Sequence, residues 1–391
     1  MTLQELMTRW NGYQIEMRRW FHQHPEESTK EVHTAERIRA ELDRAGIQWR
    51  PCGLGTGTLA RIEGAQPGRT ILLRGDIDAL SVNEETGLPY ASEVPGVMHA
   101  CGHDCHISML LTAAMMVNEI RDRLKGTIVF AFQPAEELGL GARAMIEEGA
   151  LEGVDACFGM HVWSDYPAGT VALRKGPMMA SGDQFKIHVR GKSTHGAQPQ
   201  LGADALIMGA AIAQNLQTIV SRETYPGDTA VVTVGKFHSG TRFNVVAGTA
   251  ELEGTTRTFS PAVRDRFEEQ ITRIARSTAE AMRGTADVEY LRIVPVTVND
   301  PGMIDVVTGA AGKIFGDKGV IEADLQMGGE DFAFYQEKVP GAMVLLGVRN
   351  EACDAVWPQH HGCYKVDESV LVKGAALHVQ TALDFLGVDL K

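Results

Sequence analysis

The clearest signal for the fold is Gly126-Thr127-Ile128-Val129-Phe130-Ala131-Phe132, which runs directly into Gln133-Pro134-Ala135-Glu136-Glu137. The first part is a mainly apolar run without polar alternation, and such a run predicts a strand buried on both faces. A helix is predicted next, from Ala142 to Glu148, and a second buried-looking strand, Ala156 to Met160, leads to His161. This succession of strand, helix and strand is typical of an α/β domain with a largely parallel sheet.

The same succession occurs on both sides of this segment. Strands are predicted at 57–62, 70–74 and 342–348, and helices at 3–23, 34–45, 107–123, 302–315 and 370–385. Asp76 and Asp78 follow one of these strands just as the glutamate pair follows the strand described above. Because ligands gather beyond the carboxyl ends of strands in such sheets, we expect these acidic groups and His161 to meet at one edge.

The chain between 184 and 296 has a different pattern. Its predicted elements are a strand, a helix, two strands, a helix and a last strand, at 184–190, 203–221, 229–237, 247–257, 261–282 and 286–294. This βαββαβ order is the split arrangement of ferredoxin-like modules, and the α/β pattern resumes after it. We therefore predict two domains: an α/β domain of residues 1–183 and 297–391 that carries the chemistry, and an inserted domain of residues 184–296.

Composition excludes several classes of protein. The chain has 391 residues, 44% of them hydrophobic, and a formal net charge of −13, which argues against nucleic acid or an anionic membrane surface as a partner. Its first residues lack a basic region followed by an apolar core, and the longest apolar run, 107–117, is too short to span a bilayer. Six cysteines are few for this length and are expected to be thiols. These features predict a cytoplasmic protein.

Potential metal ligands are concentrated in Met98-His99-Ala100-Cys101-Gly102-His103-Asp104-Cys105-His106. Gly102 allows a tight turn, so that Cys101 and His103 can point at one spot, and thiolate with imidazole suits Zn²⁺ or a similar divalent ion. An alternative is a small structural zinc knot closed by Cys101, His103, Cys105 and His106. A redox cysteine pair is disfavoured because the stretch contains no C-x-x-C.

Further candidate ligands follow predicted strands. Pro134 breaks the strand before Glu136 and Glu137, so one carboxylate of the pair can hold a metal while the other faces a bound water. The alternative for this pair is a solvated acidic turn, and for His161 it is a buried core histidine. Gln359-His360-His361-Gly362 lies after the last strand and offers a closing imidazole, but spacing does not choose between its two histidines.

Five motifs resemble those of the aminoacylase/carboxypeptidase-G-type metallohydrolases, especially the subfamily that contains hippurate hydrolase, indole-acetyl-amino-acid hydrolases and N-acetyl-diaminopimelate deacetylase. They are Arg74 to Leu80, Met98 to Asp104, Gln133 to Glu137, Gly328 to Phe332, and Asp367-Glu368. The resemblance covers essentially the whole chain, in the same order. It implies a catalytic α/β domain that binds two metal ions and an inserted lid that also forms a homodimer.

Carried over residue by residue, the resemblance implies a complete ligand set. Cys101 would bridge the two ions, and the remaining ligands would be His103, Glu137, His161 and His360. Glu136 would be the general base, and Asp78 would orient a ligand. His361 is the weaker candidate for the last position, where this sequence departs from the family pattern. The ions would be Zn²⁺ or Mn²⁺, with Co²⁺ or Ni²⁺ as alternatives.

The resemblance also assigns residues in the inserted domain. His195, in Gly191 to Gly196, resembles a histidine that reaches into the partner subunit's site. Asn244 and Arg257 resemble positions that bind the carboxylate of the substrate. From the sequence pattern alone, Arg257 would be read as a surface strand charge that pairs with Glu251 or Glu253.

The expected reaction is hydrolysis of an N-acyl amino acid, a small-molecule substrate, to a carboxylate and a free amino acid. A metal-activated water would lose its proton to Glu136, and His195 would donate a hydrogen bond to the developing oxyanion. A dipeptidase or carboxypeptidase is the alternative within the family. Outside it, the alternatives are a non-catalytic zinc-stabilised binding protein and a cysteine hydrolase that uses Cys101.

Overall fold

A computed structural model describes residues 1–390, which form two compact units. The first unit comprises Met1–Gly176, Val298–Asp324 and residues 331–390, and the second comprises Pro177–Thr297 and Leu325–Glu330. The inserted unit thus starts earlier than expected and also includes the short segment Leu325–Glu330, which was expected to belong to the α/β domain. That segment joins it because Gln326 forms a β-bridge with Met179 and donates its N–H to the Met178 carbonyl at 2.9 Å.

The helices and strands have the following bounds. The helices are α1 Leu3–Gln23, α2 Val32–Arg44, α3 His103–Glu119, α4 Gly141–Glu147, α5 Ala205–Asn215, α6 Pro261–Ala281, α7 Pro301–Phe315, α8 Ala333–Gln336 and α9 Leu371–Leu386. The strands are β1 Gln48–Pro51, β2 Thr58–Glu63, β3 Gln66–Asp76, β4 Lys125–Gln133, β5 Ala156–Pro167, β6 Val171–Leu173, β7 Gly176–Met179, β8 Ser181–Arg190, β9 Thr194–His195, β10 Ala230–Ser239, β11 Val245–Val246, β12 Thr249–Thr258, β13 Thr285–Val294, β14 Thr297–Asn299, β15 Val320–Glu322 and β16 Gly341–Arg349.

The first unit is built on an eight-stranded sheet in the order β1-β2-β4-β3-β5-β16-β6-β15. The four central strands, β4, β3, β5 and β16, are mutually parallel, and antiparallel pairs occur on either side of them. Every residue of β4 after Lys125 is buried, which explains why this strand is apolar without alternation. The α/β class and the largely parallel sheet predicted from the sequence are confirmed.

Helix α3 carries the His- and Cys-rich stretch into the core of this unit. Its residues from His103 to Val117 are all buried, and α1, α9 and β3 pack around it. The helix was expected to begin at Ile107 but begins four residues earlier, because Gly102 adopts φ +92° and turns the chain directly into it. His103 and His106 therefore lie about one turn apart on one helix, an arrangement that the sequence analysis missed.

Two other expectations about local structure were wrong, and some short strands were missed. Strand β5 does not end at Met160 but continues to Pro167, so His161 lies within the strand instead of after it. The helix expected at 203–221 ends at Asn215. The short strands β1, β6 and β15 were not predicted.

The second unit contains a four-stranded antiparallel sheet in the order β10-β12-β8-β13. In chain order these are the second, third, first and fourth long strands, which is the ferredoxin-like arrangement. Helices α5 and α6 pack against each other and against this sheet, around a core that includes Phe185, Leu252 and Phe267. Across the part of the chain that the structure describes, no helix is both long enough and apolar enough to cross a membrane.

Candidate metal centre

The ligand candidates of the first unit converge at one edge of the large sheet. Strand β3 ends at Asp76, which is in register with Gln133 at the end of β4, and the Glu136–Glu137 pair follows β4. Strand β5 contributes His161, and the first residue of α3 is His103. The predicted meeting of these groups is therefore what the topology produces.

Two sets of side chains share the thiol of Cys101. In the first, the Sγ atom of Cys101 lies 3.3 Å from Nε2 of His161, and His103 completes the group. In the second, Oε1 of Glu137 lies 3.4 Å from Nε2 of His360, again beside Cys101. The ligand atoms of each set lie within 4.8 Å of one another.

These atoms fit divalent ions in both spacing and chemistry. Nε2 of His103 and Oε1 of Glu137 are buried, lie 3.9 Å apart and have no hydrogen-bond partner within residues 1–390. Buried polar atoms without a partner are costly unless something else satisfies them. Four ligands around a Zn²⁺ ion at ~2.0–2.3 Å stand roughly 3.3–3.8 Å from one another. The separations of 3.3, 3.4 and 3.9 Å found here lie in or next to that range.

Hydrogen bonds from the other ring nitrogens fix the orientation of two histidines. Nδ1 of His103 donates to the Asp78 carbonyl at 2.8 Å, and Nδ1 of His161 donates to the Val162 carbonyl at 2.6 Å. In each ring this leaves the Nε2 lone pair directed at the thiol cluster. Such second contacts are typical of metal-binding histidines.

The electrostatics of the cluster favour a bound cation. Burial, reinforced by the Glu137 carboxylate, raises the pKa of the Cys101 thiol well above its usual range, so a thiolate here needs a positive partner. Burial lowers the pKa of His161 and keeps its imidazole neutral, the form that binds metal. Burial also disfavours a charged His103, but Asp76 and other neighbours outweigh it and raise the pKa. The same negative groups attract a divalent ion.

The Glu136–Glu137 turn is held by the Asp78 carboxylate. Its two oxygens accept the backbone N–H groups of Glu136 and Glu137, each at 3.1 Å. Burial raises the pKa of Asp78, but the hydrogen bond from His103 and the other partners outweigh this effect, so that the pKa is lowered. Oε1 of Glu136 accepts the backbone N–H of Asp331 at 3.4 Å. The pair is therefore an ordered turn and not a solvated acidic one.

Geometry separates the two candidate histidines of the last loop. His360 has φ +65° and donates its backbone N–H to the carbonyl of Ala100, the residue before Cys101, at 2.8 Å. His361 instead stacks on Trp357 and accepts the backbone N–H of Cys363. The structure thus brings His360, and not His361, to Glu137.

The structural zinc knot does not form. The close groups of metal-capable side chains found in residues 1–390 include Cys101 and His103 but not Cys105, which lies in the hydrophobic core. His106 lies near His103, but it hydrogen-bonds Asp76 through Nδ1 and accepts the Val162 N–H through Nε2. The raised pKa of Cys101 is also the opposite of what a cysteine hydrolase requires of its nucleophile.

The remaining candidates lie in the second unit. His195 is exposed on β9, its Nδ1 accepts the Ala197 N–H at 3.0 Å, and Gly196 donates to the Asn244 carbonyl at 2.9 Å, so His195 and Asn244 are neighbours. Arg257 donates to Oγ1 of Thr255 at 2.6 Å. Its alternative partners are engaged elsewhere, because Glu251 and Glu253 form ion pairs with Lys186, and Glu253 also with Lys236.

Three residues that support the site were given no such role from the sequence, although Asp76 was expected at this edge and His106 was considered only for the zinc knot. Asp76 is fully buried between Arg74 and His106, and Asp331 accepts hydrogen bonds from Arg74 and Gln133 while its backbone contacts Glu136. Both acids stand in motifs quoted above, and that was the available signal. His106 would have been found by starting α3 at Gly102.

This chain is similar to known hydrolases over nearly its whole length. The model of peptidase family M20/M25/M40 matches residues 72–384. The chain is 41% identical over 368 residues to N-acetyl-L-cysteine deacetylase of Bacillus subtilis (strain 168), covering 94% of this chain and 87% of that protein. It is 39% identical over 375 residues to thermostable carboxypeptidase 1 of Saccharolobus solfataricus, covering 95% of each.

A solved structure gives the same result for the fold. The YXEP protein of Bacillus subtilis, described as a dinuclear metal-binding peptidase from the M20 family, is 36% identical to this chain. The two structures superpose with a TM-score of 0.86 over 98% of this chain and 100% of that one.

Proposed function

This chain belongs to peptidase family M20/M25/M40, as its motifs predicted, and we propose that it hydrolyses the amide bond of N-acyl amino acids to a carboxylate and a free amino acid. The membership makes it a hydrolase of amide bonds. Support for the substrate class comes from the relative named as an N-acetyl-L-cysteine deacetylase.

The observation that carries the proposal is that Glu136 and Glu137, although adjacent in one turn, occupy different positions relative to the ligand cluster. Glu137 faces His360 and the Cys101 thiol, which gives it the position of a metal ligand. Glu136 is held beside it by Asp78 and by the Asp331 N–H, close to the ligand cluster. A carboxylate fixed next to a metal cluster is suited to general base catalysis.

In the mechanism, Cys101, His103, Glu137, His161 and His360 would hold two divalent ions. When bound, the ions supply Lewis acidity, which lowers the pKa of a water from ~15.7 to about 7 and polarises the substrate carbonyl. The Glu136 carboxylate takes a proton from the attacking water as the new C–O bond forms. It then gives that proton to the amide nitrogen as the C–N bond breaks, so the leaving amine departs neutral.

The second unit is proposed to supply substrate recognition. Arg257 and Asn244 would bind the substrate carboxylate, since the guanidinium of Arg257, which is half-buried, and the Nδ2 group of Asn244 both donate hydrogen bonds. His195 is exposed, and we propose that it donates a hydrogen bond to the oxyanion in the partner subunit of a homodimer.

Two further assignments belong to this proposal. Thiolate and imidazole ligands favour Zn²⁺, with Mn²⁺ as the other main candidate and Co²⁺ or Ni²⁺ as alternatives. All six cysteines are free thiols, which supports a reducing compartment such as the cytoplasm.

The test is a hydrolysis panel with the metal-reconstituted protein. It contains acetyl-, benzoyl- and indolylacetyl-amino acids, matched dipeptides with a free amino terminus, and the C-terminal amide of each acyl substrate. We expect turnover of the acyl amino acids and much weaker turnover of the amides, which lack the carboxylate. Preferential cleavage of the dipeptides would favour the carboxypeptidase or dipeptidase alternative.

Chelation distinguishes the other classes. The proposed enzyme becomes inactive in chelator, remains folded by circular dichroism and recovers when metal is restored. A zinc-stabilised binding protein shows no turnover before chelation and unfolds after it. A cysteine hydrolase survives the chelator and is inactivated by thiol alkylation.

A further inference from the structure

The buried carboxylate of Glu31 reaches the Glu136–Glu137 turn from the start of α2. Glu31 is fully buried, and its Oε1 atom accepts two backbone N–H groups, from Ala135 and from Thr29, both at 2.9 Å. Its Oε2 atom accepts the Thr56 hydroxyl, also at 2.9 Å. In all three hydrogen bonds Glu31 is the acceptor, so both oxygens of its carboxylate are engaged.

The two residues whose backbone N–H groups bind Glu31 have unusual backbone conformations. Ala135 has φ +49° and Thr29 has φ +69°, and both lie in the left-handed region that non-glycine residues rarely adopt. A β-branched residue such as Thr29 is especially disfavoured there. Such conformations persist only when surrounding contacts hold them, and a single carboxylate oxygen contacts both.

Both residues are connected to the Glu136–Glu137 turn. Ala135 immediately precedes Glu136 in the chain. Thr29 follows Ser28, whose hydroxyl donates to Oδ2 of Asp78 at 2.6 Å, and Asp78 holds the N–H groups of the glutamate pair. Three successive backbone N–H groups, from residue 135 to residue 137, are therefore fixed by two buried carboxylates.

We propose that Glu31 is a positioning residue that sets the direction of Glu136 and Glu137 through the left-handed Ala135 peptide. The inference rests on the proposed function for the role of Glu136, but its effect on Glu137 concerns metal retention alone. Glu31 is in none of the close groups of metal-capable side chains of residues 1–390. It acts by keeping the turn in one conformation, since displacement of a catalytic group by about 1 Å can lower the rate about 100-fold.

The experiment compares Glu31→Ala with Glu31→Gln and with Glu41→Ala. Glutamine keeps the carbonyl oxygen for the Ala135 and Thr29 N–H groups, and its amide can donate to the Thr56 hydroxyl. Glu41 is a matched control because it is also a buried glutamate of this helix region, but it contacts Tyr13, Arg37 and Arg44 and not the turn. Activity is measured on the best substrate of the panel, metal release by transfer to a chromogenic chelator, and folded fraction by urea unfolding.

We expect Glu31→Ala to lower kcat about 100-fold per folded molecule, to change KM less than about 3-fold and to release one ion about 10-fold faster. Glu31→Gln should recover most of both properties, and Glu41→Ala should lose stability while keeping wild-type kcat and ion release. Wild-type ion release and kcat in folded Glu31→Ala would overturn the inference, as would a Gln variant no better than Ala. A wild-type protein inactive on the whole panel would refute the proposed function, while ion release would still decide the role of Glu31.

Discussion

Nε2 of His106 accepts the backbone N–H of Val162 at 2.9 Å, and this bond links the start of α3 to the peptide that follows the proposed ligand His161. The carbonyl of the same residue, Val162, accepts the His161 ring at 2.6 Å and the side-chain amide of Gln359 at 3.1 Å. Gln359 precedes His360, so the backbone of one residue, Val162, contacts the supports of two proposed ligands from separate parts of the chain.

Replacement of His106 should therefore reduce both stability and metal retention. His106→Leu leaves the buried Val162 N–H without an acceptor, which costs about 1–3 kcal/mol in the free energy of unfolding. It also loosens the backbone of Val162, whose carbonyl orients the His161 ring, and we expect faster ion release to a chelator. Urea unfolding and chelator transfer at pH 8 measure the two effects.

The control for this variant is His378→Leu. His378 is equally buried, but its Nδ1 has no hydrogen-bond partner in the described chain. Replacing it with an apolar side chain therefore leaves no group without a partner at that ring nitrogen. It should retain wild-type ion release. Equal ion release in the two variants would contradict the role given to His106.

Glu136→Gln should separate proton transfer from metal binding. Glutamine keeps the size of the side chain and can still accept the Asp331 N–H, but it cannot take a proton from water. We expect both ions to be retained and kcat to fall about 10³-fold, within the range for loss of a general base. Elemental analysis and steady-state kinetics on the same sample provide the measurement.

Glu137→Gln is the matched comparison for that variant. It removes a charge that faces Cys101 and His360, so it should lose metal as well as activity. Turnover close to wild type in Glu136→Gln would refute the assignment of the base.

The parts of this structure that sequence could predict are those with local signatures. Strand β4 was readable because burial on both faces makes it apolar throughout, and the turn after it because Pro134 ends the strand. Helix α3 was placed four residues late because the decisive feature, the left-handed Gly102, is a single residue without periodicity.

What sequence could not predict depends on hydrogen bonds between distant segments. Glu31 is separated from Ala135 by 104 positions and stands in a stretch that reads as a connection between two helices. The bridge between Met179 and Gln326, which adds a short segment to the second unit, likewise has no periodic pattern. Contacts of this kind depend on how distant segments pack together in the folded protein and have no local sequence pattern.

Stability should fall with acid in part because of His378. Burial lowers the pKa of His378 to about 3, whereas in the unfolded chain it titrates at about 6.5. Between these values the unfolded chain binds a proton that the folded protein does not, so the free energy of unfolding falls as the pH falls. His378→Leu removes this contribution, which amounts to about 1.4 kcal/mol per pH unit and about 2 kcal/mol at pH 5.

The measurement is urea unfolding of wild type and His378→Leu at pH 8, 7, 6 and 5 with the same metal content. Taking the difference between the two proteins cancels acid effects that they share, including metal loss. The difference should grow in favour of the variant as the pH decreases below 6.5. Parallel stability curves over this range would show that His378 is not buried as a neutral group.

The proposed action of His195 in the partner subunit can be tested by mixing two inactive variants. Glu136→Gln lacks the base and His195→Asn lacks the oxyanion donor, so each homodimer should have very low kcat. In a heterodimer, the subunit that keeps Glu136 receives an intact His195 from its partner and forms one complete site. Random exchange makes about half of the dimers mixed, so about a quarter of wild-type activity should return.

The control is a mixture of Glu136→Gln with the double variant Glu136→Gln/His195→Asn, in which no site has the base. It should show no recovery, while native mass spectrometry of size-tagged subunits verifies that exchange has occurred in both mixtures. Absence of recovery in the first mixture, despite verified heterodimers, would mean that His195 acts within its own chain or not at all. A recovery near a quarter fits only sites that are shared between subunits, because a site built from one chain cannot regain a group that the same chain lacks.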